Sequence, residues 1–235
     1  MSQGIQFNQL NELGKEIRQI DNFELSDSAK EKVANIIKEI RQDHGMNTHE
    51  KGKKLEDLIE FILLSTKVFK VIKNQHTSSN EFDLLVKLNY NGKRLRRDKI
   101  IPEWIPDYFL IECKNHKSEV EVGLLGKFYS LMDVSKINLG IFISRVGITG
   151  NEDKYWKHAE AFVKKINLKY SESSNPKILL DLDLDAIEEV TKDDTNIIEV
   201  IENRKINIDM DINSSLNEWI SKHENEGTFN VVDNK

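Results

Sequence analysis

Tyr108-Phe109-Leu110-Ile111-Glu112-Cys113-Lys114 is the stretch of this sequence on which the fold assignment turns. Its run of aromatic and aliphatic residues reads as a β-strand. Side chains alternate along a strand, so Glu112 and Lys114 share one face while Phe109, Ile111 and Cys113 face a core. A carboxylate and an ammonium in an apolar strand are expensive to bury unless they are paired or put to use. Alone, Glu-x-Lys is a common tripeptide and reads as a solvent-exposed ion pair at a strand end.

A second strand changes its weight. In Phe82-Asp83-Leu84-Leu85-Val86-Lys87-Leu88 the only acid is Asp83, on the face of Leu85 and Lys87. If the two strands are neighbours, Asp83 and Glu112 converge on one cation. Magnesium takes oxygen ligands and is commonly held by one or two carboxylates with waters and substrate phosphates; the Cys113 carbonyl adds a further oxygen. Such an ion polarises a scissile phosphate and lowers the pKa of a bound water. Lys114 would orient that water, assist its deprotonation or stabilise phosphate charge, and it can act as a base only if its pKa is depressed.

Outward from these strands the pattern is mixed α/β. Leu55, Leu58, Ile59, Ile62 and Leu63 make a helical stripe. Glu56 lies beside it, either aimed at the same cation or solvated. Residues 68–73 read as a strand, 76–80 as a polar turn, and Asn91-Gly92 as a hairpin turn after the Asp83 strand. Residues 120–133 read as a helix with Leu124, Leu125, Phe128 and Leu131 or Met132 inward. The nearly all-apolar Leu139-Gly140-Ile141-Phe142-Ile143-Ser144 reads as a central strand. A helix is expected over 152–166, a strand over 177–180, and helices near 183–190, 194–204 and 214–223. Upstream, residues 7–44 read as two amphipathic helices, with Leu10, Leu13, Ile17 and Ile20 in the first and Val33, Ile36, Ile37 and Ile40 in the second. The expected organisation is an N-terminal helical segment (1–50), a core (51–182) and a C-terminal helical segment (183–235).

Composition narrows the class. At 38% hydrophobic residues with three prolines the chain is globular. One cysteine allows no internal disulfide and fits a reducing cytoplasm. No stretch approaches the ~20 apolar residues of a membrane span, and no secretory pattern opens the chain. The net charge of −6 is uneven, because residues 151–235 hold 11 Lys/Arg against 19 Asp/Glu and residues 1–150 hold 23 against 21. The run Lys93-Arg94-Leu95-Arg96-Arg97-Asp98-Lys99 is either a solvated loop or a local phosphate-binding surface.

The order helix with Glu56, strand, strand with Asp83, strand with Glu112-Cys113-Lys114, helix, strand resembles the αβββαβ core of the PD-(D/E)XK nucleases, and within them the Mrr-like restriction endonucleases. The resemblance spans about residues 50–150. It implies a restriction-endonuclease-like α/β fold, with a central mixed sheet flanked by helices and helical additions at both ends. It implies Asp83 and Glu112 as metal ligands with the Cys113 carbonyl, Lys114 as catalytic lysine, Glu56 as the helical glutamate, and Lys127 or Glu121 as the polar residue on the helix after the lysine strand. The literal Pro-Asp pair, Pro106-Asp107, is only five residues before Glu112 and would begin the same strand, so Asp83 is preferred. Residues 92–106 then form an insertion at the mouth of the site, with Arg94, Arg96 and Arg97 on phosphates.

The expected activity is Mg²⁺-dependent (Mn²⁺ substituting) endonucleolytic hydrolysis of DNA, in restriction or antiphage defence. The alternatives are a non-catalytic nucleic-acid-binding or assembly subunit of the same fold and a repair or junction nuclease. Partners would be DNA, a second copy through the Leu10–Ile20 stripe, or a subunit supplying specificity; no membrane is expected. Among other conspicuous residues, Cys113 should face the core rather than act as a nucleophile. The six histidines lack metal-ligand spacing, although His116 follows Lys114 closely enough to meet a phosphate. Ser144 and Thr149 have no histidine partner arranged as a triad. Trp104 either packs the insertion or stacks on a base.

Overall fold

The computed structural model of the protein describes residues 23–42, 47–76, 81–150 and 158–210. Helix α1 (Asp27–Gln42) buries Val33, Ile37 and Ile40. Helix α2 (Thr48–Ser65) buries Leu55, Leu58, Ile59, Ile62 and Leu63, the whole expected stripe. The start of α2 is set by a reciprocal cap. Asn47 accepts from the Glu50 N–H and Glu50 accepts from the Asn47 N–H, so two otherwise orphan donors are satisfied. Of the N-terminal expectations, the Leu10–Ile20 helix lies outside the described residues.

Five strands follow: β1 (Phe69–His76), β2 (Glu81–Leu88), β3 (Tyr108–Lys114), β4 (Leu139–Ser144) and β5 (Ile178–Leu182). They form one mixed sheet in the order β1-β2-β3-β4-β5. The first three run antiparallel to their neighbours, and β3, β4 and β5 run parallel. Parallel neighbours need a crossover, supplied by α4 (Val122–Val134) between β3 and β4 and by α5 (Ala159–Tyr170) between β4 and β5. Every residue of β4 is buried, as its apolar run implied.

Register assigns the faces. Leu84 pairs with Ile111, Cys113 with Ile143, and Val86 with Phe109, placing these six on one face. Helix α2 packs on that side, where Lys73 of β1 pairs with Asp57 and Glu60. The opposite face carries Leu110, Glu112 and Lys114. Helix α4 lies over it at β4, with the Phe128 ring 5.9 Å from that of Phe142. Gly140 permits this approach, since a Cβ there would collide with Met132 and Phe128.

The hairpin expected at Asn91-Gly92 does not form. Asn89 accepts from the Gly92 N–H at 2.9 Å and thereby caps a helix, α3 (Tyr90–Arg97). A Cβ at Gly92 would stand 2.5 Å from the Val68 carbonyl oxygen, so this glycine serves a close helix–strand approach and not a turn. Residues 98–107 then lead into β3.

After β5, α6 (Leu184–Glu188), a 3₁₀ turn (Glu189–Thr191) and α7 (Ile197–Asp209) complete the described chain. The helix expected over 214–223 lies outside the described residues. The flanking helices are not separate units: Val33, Ile37, Ile187, Ile197 and Ile201 belong to the same buried cluster as Leu84, Ile111 and Ile141. No helix among the described residues is long and apolar enough to cross a membrane.

Candidate functional site

The β2–β3 ladder ends at Leu84 and Ile111, and the next step of the register sets Asp83 opposite Glu112 on one face. Backbone pairing gives way there to a side chain: Asp83 Oδ2 accepts the Cys113 N–H at 2.7 Å. One residue further, Lys114 Nζ lies 2.5 Å from Glu112 Oε1 and 3.4 Å from Asp83 Oδ2. The side chains of Asp83, Glu112 and Lys114 are only 16%, 17% and 25% exposed, so water screens them poorly. The cluster sits at the C-terminal ends of the parallel strands, where open α/β sheets commonly place ligands.

Electrostatics set the protonation. Burial, then the charge on Asp83, push the Glu112 carboxyl above its ordinary range, against the pull of Lys114. Burial works against the Lys114 ammonium, but Glu112 and Asp83 outweigh it and its pKa is raised. Lys114 is therefore held charged in this arrangement and is not poised as a base. Burial, helped by the charges of Asp83, Glu56 and Glu112, lifts the Cys113 thiol well above its usual value. A fully buried, protonated thiol on the α2 side is not a nucleophile.

Glu56 is brought to the same strand from the opposite side. It sits on α2 with Oε2 shielded from solvent, and its charge is felt at Cys113. The start of α2 is tied to the end of β3 by Asn115, whose amide donates to the Lys51 carbonyl at 2.7 Å. No group of three or more His, Cys, Asp or Glu side chains among the described residues is arranged to hold a metal ion. The chemistry of a divalent oxygen site still fits. Two adjacent carboxylates, poorly hydrated and mutually repelling, present hard oxygen donors that a cation would stabilise.

Other expected site residues are placed elsewhere. Asp107 is at the far end of β3, about 16 Å along the strand from Glu112, with its carbonyl accepting from Leu88. Its carboxylate is taken by Lys93 at 2.6 Å and Arg96 at 2.5 Å. The expectation that residues 92–106 stand at the mouth of the site is overturned for the same reason: α3 leaves β2 at Leu88, the end of that strand remote from Asp83. Arg96 also donates to the Ile105 carbonyl, and Arg94 to Asn91, so these cations brace the α3–β3 connection. Arg97 is exposed on α3 at that same end. Lys127 lines the outer side of α4 with Gly123, Gly126 and Ser130, away from the sheet-facing Leu125, Phe128 and Met132. His116 is exposed just beyond Lys114.

No family model, curated protein or solved structure matches this chain. What the site can do rests on its own geometry.

On the same face as Asp83, the pairing of Lys70 and Tyr108 with Lys87 is not apparent from the sequence. Lys70 and Lys87 pair across β1 and β2, and Lys87 pairs with Tyr108 of β3. The signal was present as alternation, since Lys87 shares a face with Asp83. The pairing that aligns Lys70 and Tyr108 with it could not be read from local sequence.

Proposed function

We propose that the protein is a divalent-metal-dependent phosphodiesterase acting on DNA, with Asp83, Glu112 and Lys114 at its centre. The observation carrying this reading is the cross-strand pair Asp83–Glu112, two poorly hydrated carboxylates side by side with an ammonium spanning them. A fold selected for stability alone has little reason to set like charges opposite each other on adjoining strands. In this reading Asp83 and Glu112 would hold Mg²⁺ or Mn²⁺, with the Cys113 carbonyl as a further oxygen, and the ion supplies Lewis acidity at the scissile phosphate.

The chain's own residues have separate tasks. Asp83 is fixed by the Cys113 N–H, so its second oxygen keeps one direction. Lys114 stays protonated and donates hydrogen bonds, either to a non-bridging phosphate oxygen or to the attacking water, offsetting charge that develops there. Glu56 adds negative potential from behind β3. The resemblance to PD-(D/E)XK nucleases supports the reading, with α3 as an addition between the two strands that carry the acids. Restriction or antiphage defence is the setting that resemblance implies. A second reading, a non-catalytic nucleic-acid-binding subunit, draws on Lys114 already neutralising the carboxylates, an arrangement a retired site would also hold.

The deciding experiment incubates the purified protein with plasmid DNA in Mg²⁺, Mn²⁺ or EDTA. Cleavage in either metal that EDTA stops, and that Asp83→Asn and Glu112→Gln each reduce by about 10²-fold or more, supports the assignment. Full activity in either variant sinks it. Absence of metal-supported cleavage of any nucleic acid favours the non-catalytic reading.

A further inference from the structure

The face that carries Asp83 and Glu112 is ordered in rows. Across β2 and β3 the acids stand opposite each other. One pleat down is the apolar row Ile72, Leu85, Leu110, and one pleat further the row Lys70, Lys87, Tyr108. Four residues separate Asp83 from Lys87, about 13 Å of strand, or about four rises of 3.4 Å along a DNA strand.

Among the described residues this end of the face is open over β1 and β2 and at Tyr108, while Leu110 of β3 is buried. Helix α2 covers the other side of β1 and β2, while α4 and α5 pack over β4 and β5. Lys70 and Lys87 are exposed, Ile72 is 42% exposed and Tyr108 48%. Like charges directly opposite in a ladder are destabilising. Neither lysine has an acidic partner among the described residues, in contrast to Lys93 and Arg96, which are taken up by Asp107. Exposed, unpartnered lysines beside a tyrosine, on the face of the proposed phosphodiesterase site, match the sugar–phosphate backbone of a polyanion.

We propose that the row Lys70–Lys87–Tyr108 is the track on which duplex DNA lies as it runs away from Asp83, Glu112 and Lys114. Lys70 and Lys87 each meet a backbone phosphate, and Tyr108 packs on a sugar or donates its hydroxyl to a phosphate. Between the lysines and the acids, the exposed Ile72 and half-buried Leu85 make the floor, which carries no competing charge. The inference rests on the phosphodiesterase reading for its polarity, because that reading says which end of the track holds the scissile bond.

The test measures binding of a labelled DNA duplex to the full chain by fluorescence anisotropy, in EDTA and across a series of KCl concentrations. The Lys70→Gln/Lys87→Gln double variant should bind roughly tenfold more weakly at low salt, and the slope of log K against log [salt] should flatten by about 1.8, near 0.9 per lost phosphate contact. Tyr108→Ala should weaken binding and leave the slope unchanged. Glu112→Gln, which removes a negative charge at the scissile end of the track, should bind no more weakly than wild type while losing cleavage in Mg²⁺. Unchanged affinity and slope in the double variant overturn the track, and so does a wild-type chain that binds no duplex at low salt. If the wild type also cleaves in Mg²⁺, the hydrolytic reading survives that failure. If instead the slope flattens as expected but no variant or wild type cleaves, the track stands and the hydrolytic reading falls.

Discussion

Glu112 pairs with Lys114, yet its carboxyl is pushed up, because burial and Asp83 together outweigh the ammonium. Its charged form is thus disfavoured by folding. The stability it contributes is fully present below its ordinary value of 4.5 and is lost as pH rises through the raised one. Glutamine mimics the protonated form. Glu112→Gln should therefore unfold at a urea midpoint equal to that of the wild type in acid and at a higher midpoint at neutral pH. A variant less stable than wild type at neutral pH would show that the carboxylate is needed for the fold. At this scale the sequence was informative where burial makes a residue conspicuous: one acid in an apolar strand, and one acid and one lysine in the next. It was uninformative for Lys70 and Lys87, since a lysine on an alternating strand looks like any solvated residue until register sets a second beside it. Glu56 fell between the two. Its place beside the α2 stripe was legible; the side of β3 that it reaches was not.

Helices and strands were legible in proportion to the length of their apolar pattern. The α2 stripe, β2, β3 and β4 appear where periodicity put them. Helix α3 does not, because Asn91-Gly92 has the chemistry of a turn while Asn89, two residues earlier, caps a helix that buries Gly92 against Val68. That placement makes a prediction. Gly92→Ala puts a methyl into the Val68 carbonyl and the Leu88 side chain, and backbone cannot swing aside as a side-chain tip can. It should cost about 1–3 kcal/mol by urea denaturation, and an unchanged midpoint would mean that α3 can shift freely. Asp107 belongs to the same joint. Its hydrogen bond from Lys93, with the charges of Arg96 and Lys93, holds its carboxyl below 3.8 against the effect of burial. Its contribution is present above 3.8 and is lost as pH falls through the lowered value. At 37% exposure, solvent screening keeps it below about 1 kcal/mol. Asp107→Asn should lose no more than that at neutral pH, nothing in strong acid, and, under the proposed function, keep most of the metal-supported cleavage. Loss of activity on the scale of Asp83→Asn would return Asp107 to the site.

For the whole molecule, one buried cluster runs from Val33 of α1 through the sheet to Ile208 of α7. The division at residues 50 and 183 is therefore invisible to the core, because apolar pattern marks elements and not which core they share. Among the described residues this single domain holds one Asp83–Glu112–Lys114 cluster, and under the proposed function that count has a consequence for the products. The two scissile phosphates of a duplex lie on antiparallel strands, so a cluster aligned with one is misaligned with the other unless a second, two-fold-related copy supplies its own. Supercoiled plasmid should therefore pass first to the nicked circle, at an initial rate proportional to protein concentration. Linear product should appear later, rising more steeply than the first power if two copies must meet on the duplex. Gel quantification over a protein titration distinguishes these orders. Linear product forming without a nicked precursor at the lowest concentrations, from a chain that light scattering finds monomeric with DNA bound, would refute the one-site, one-strand argument.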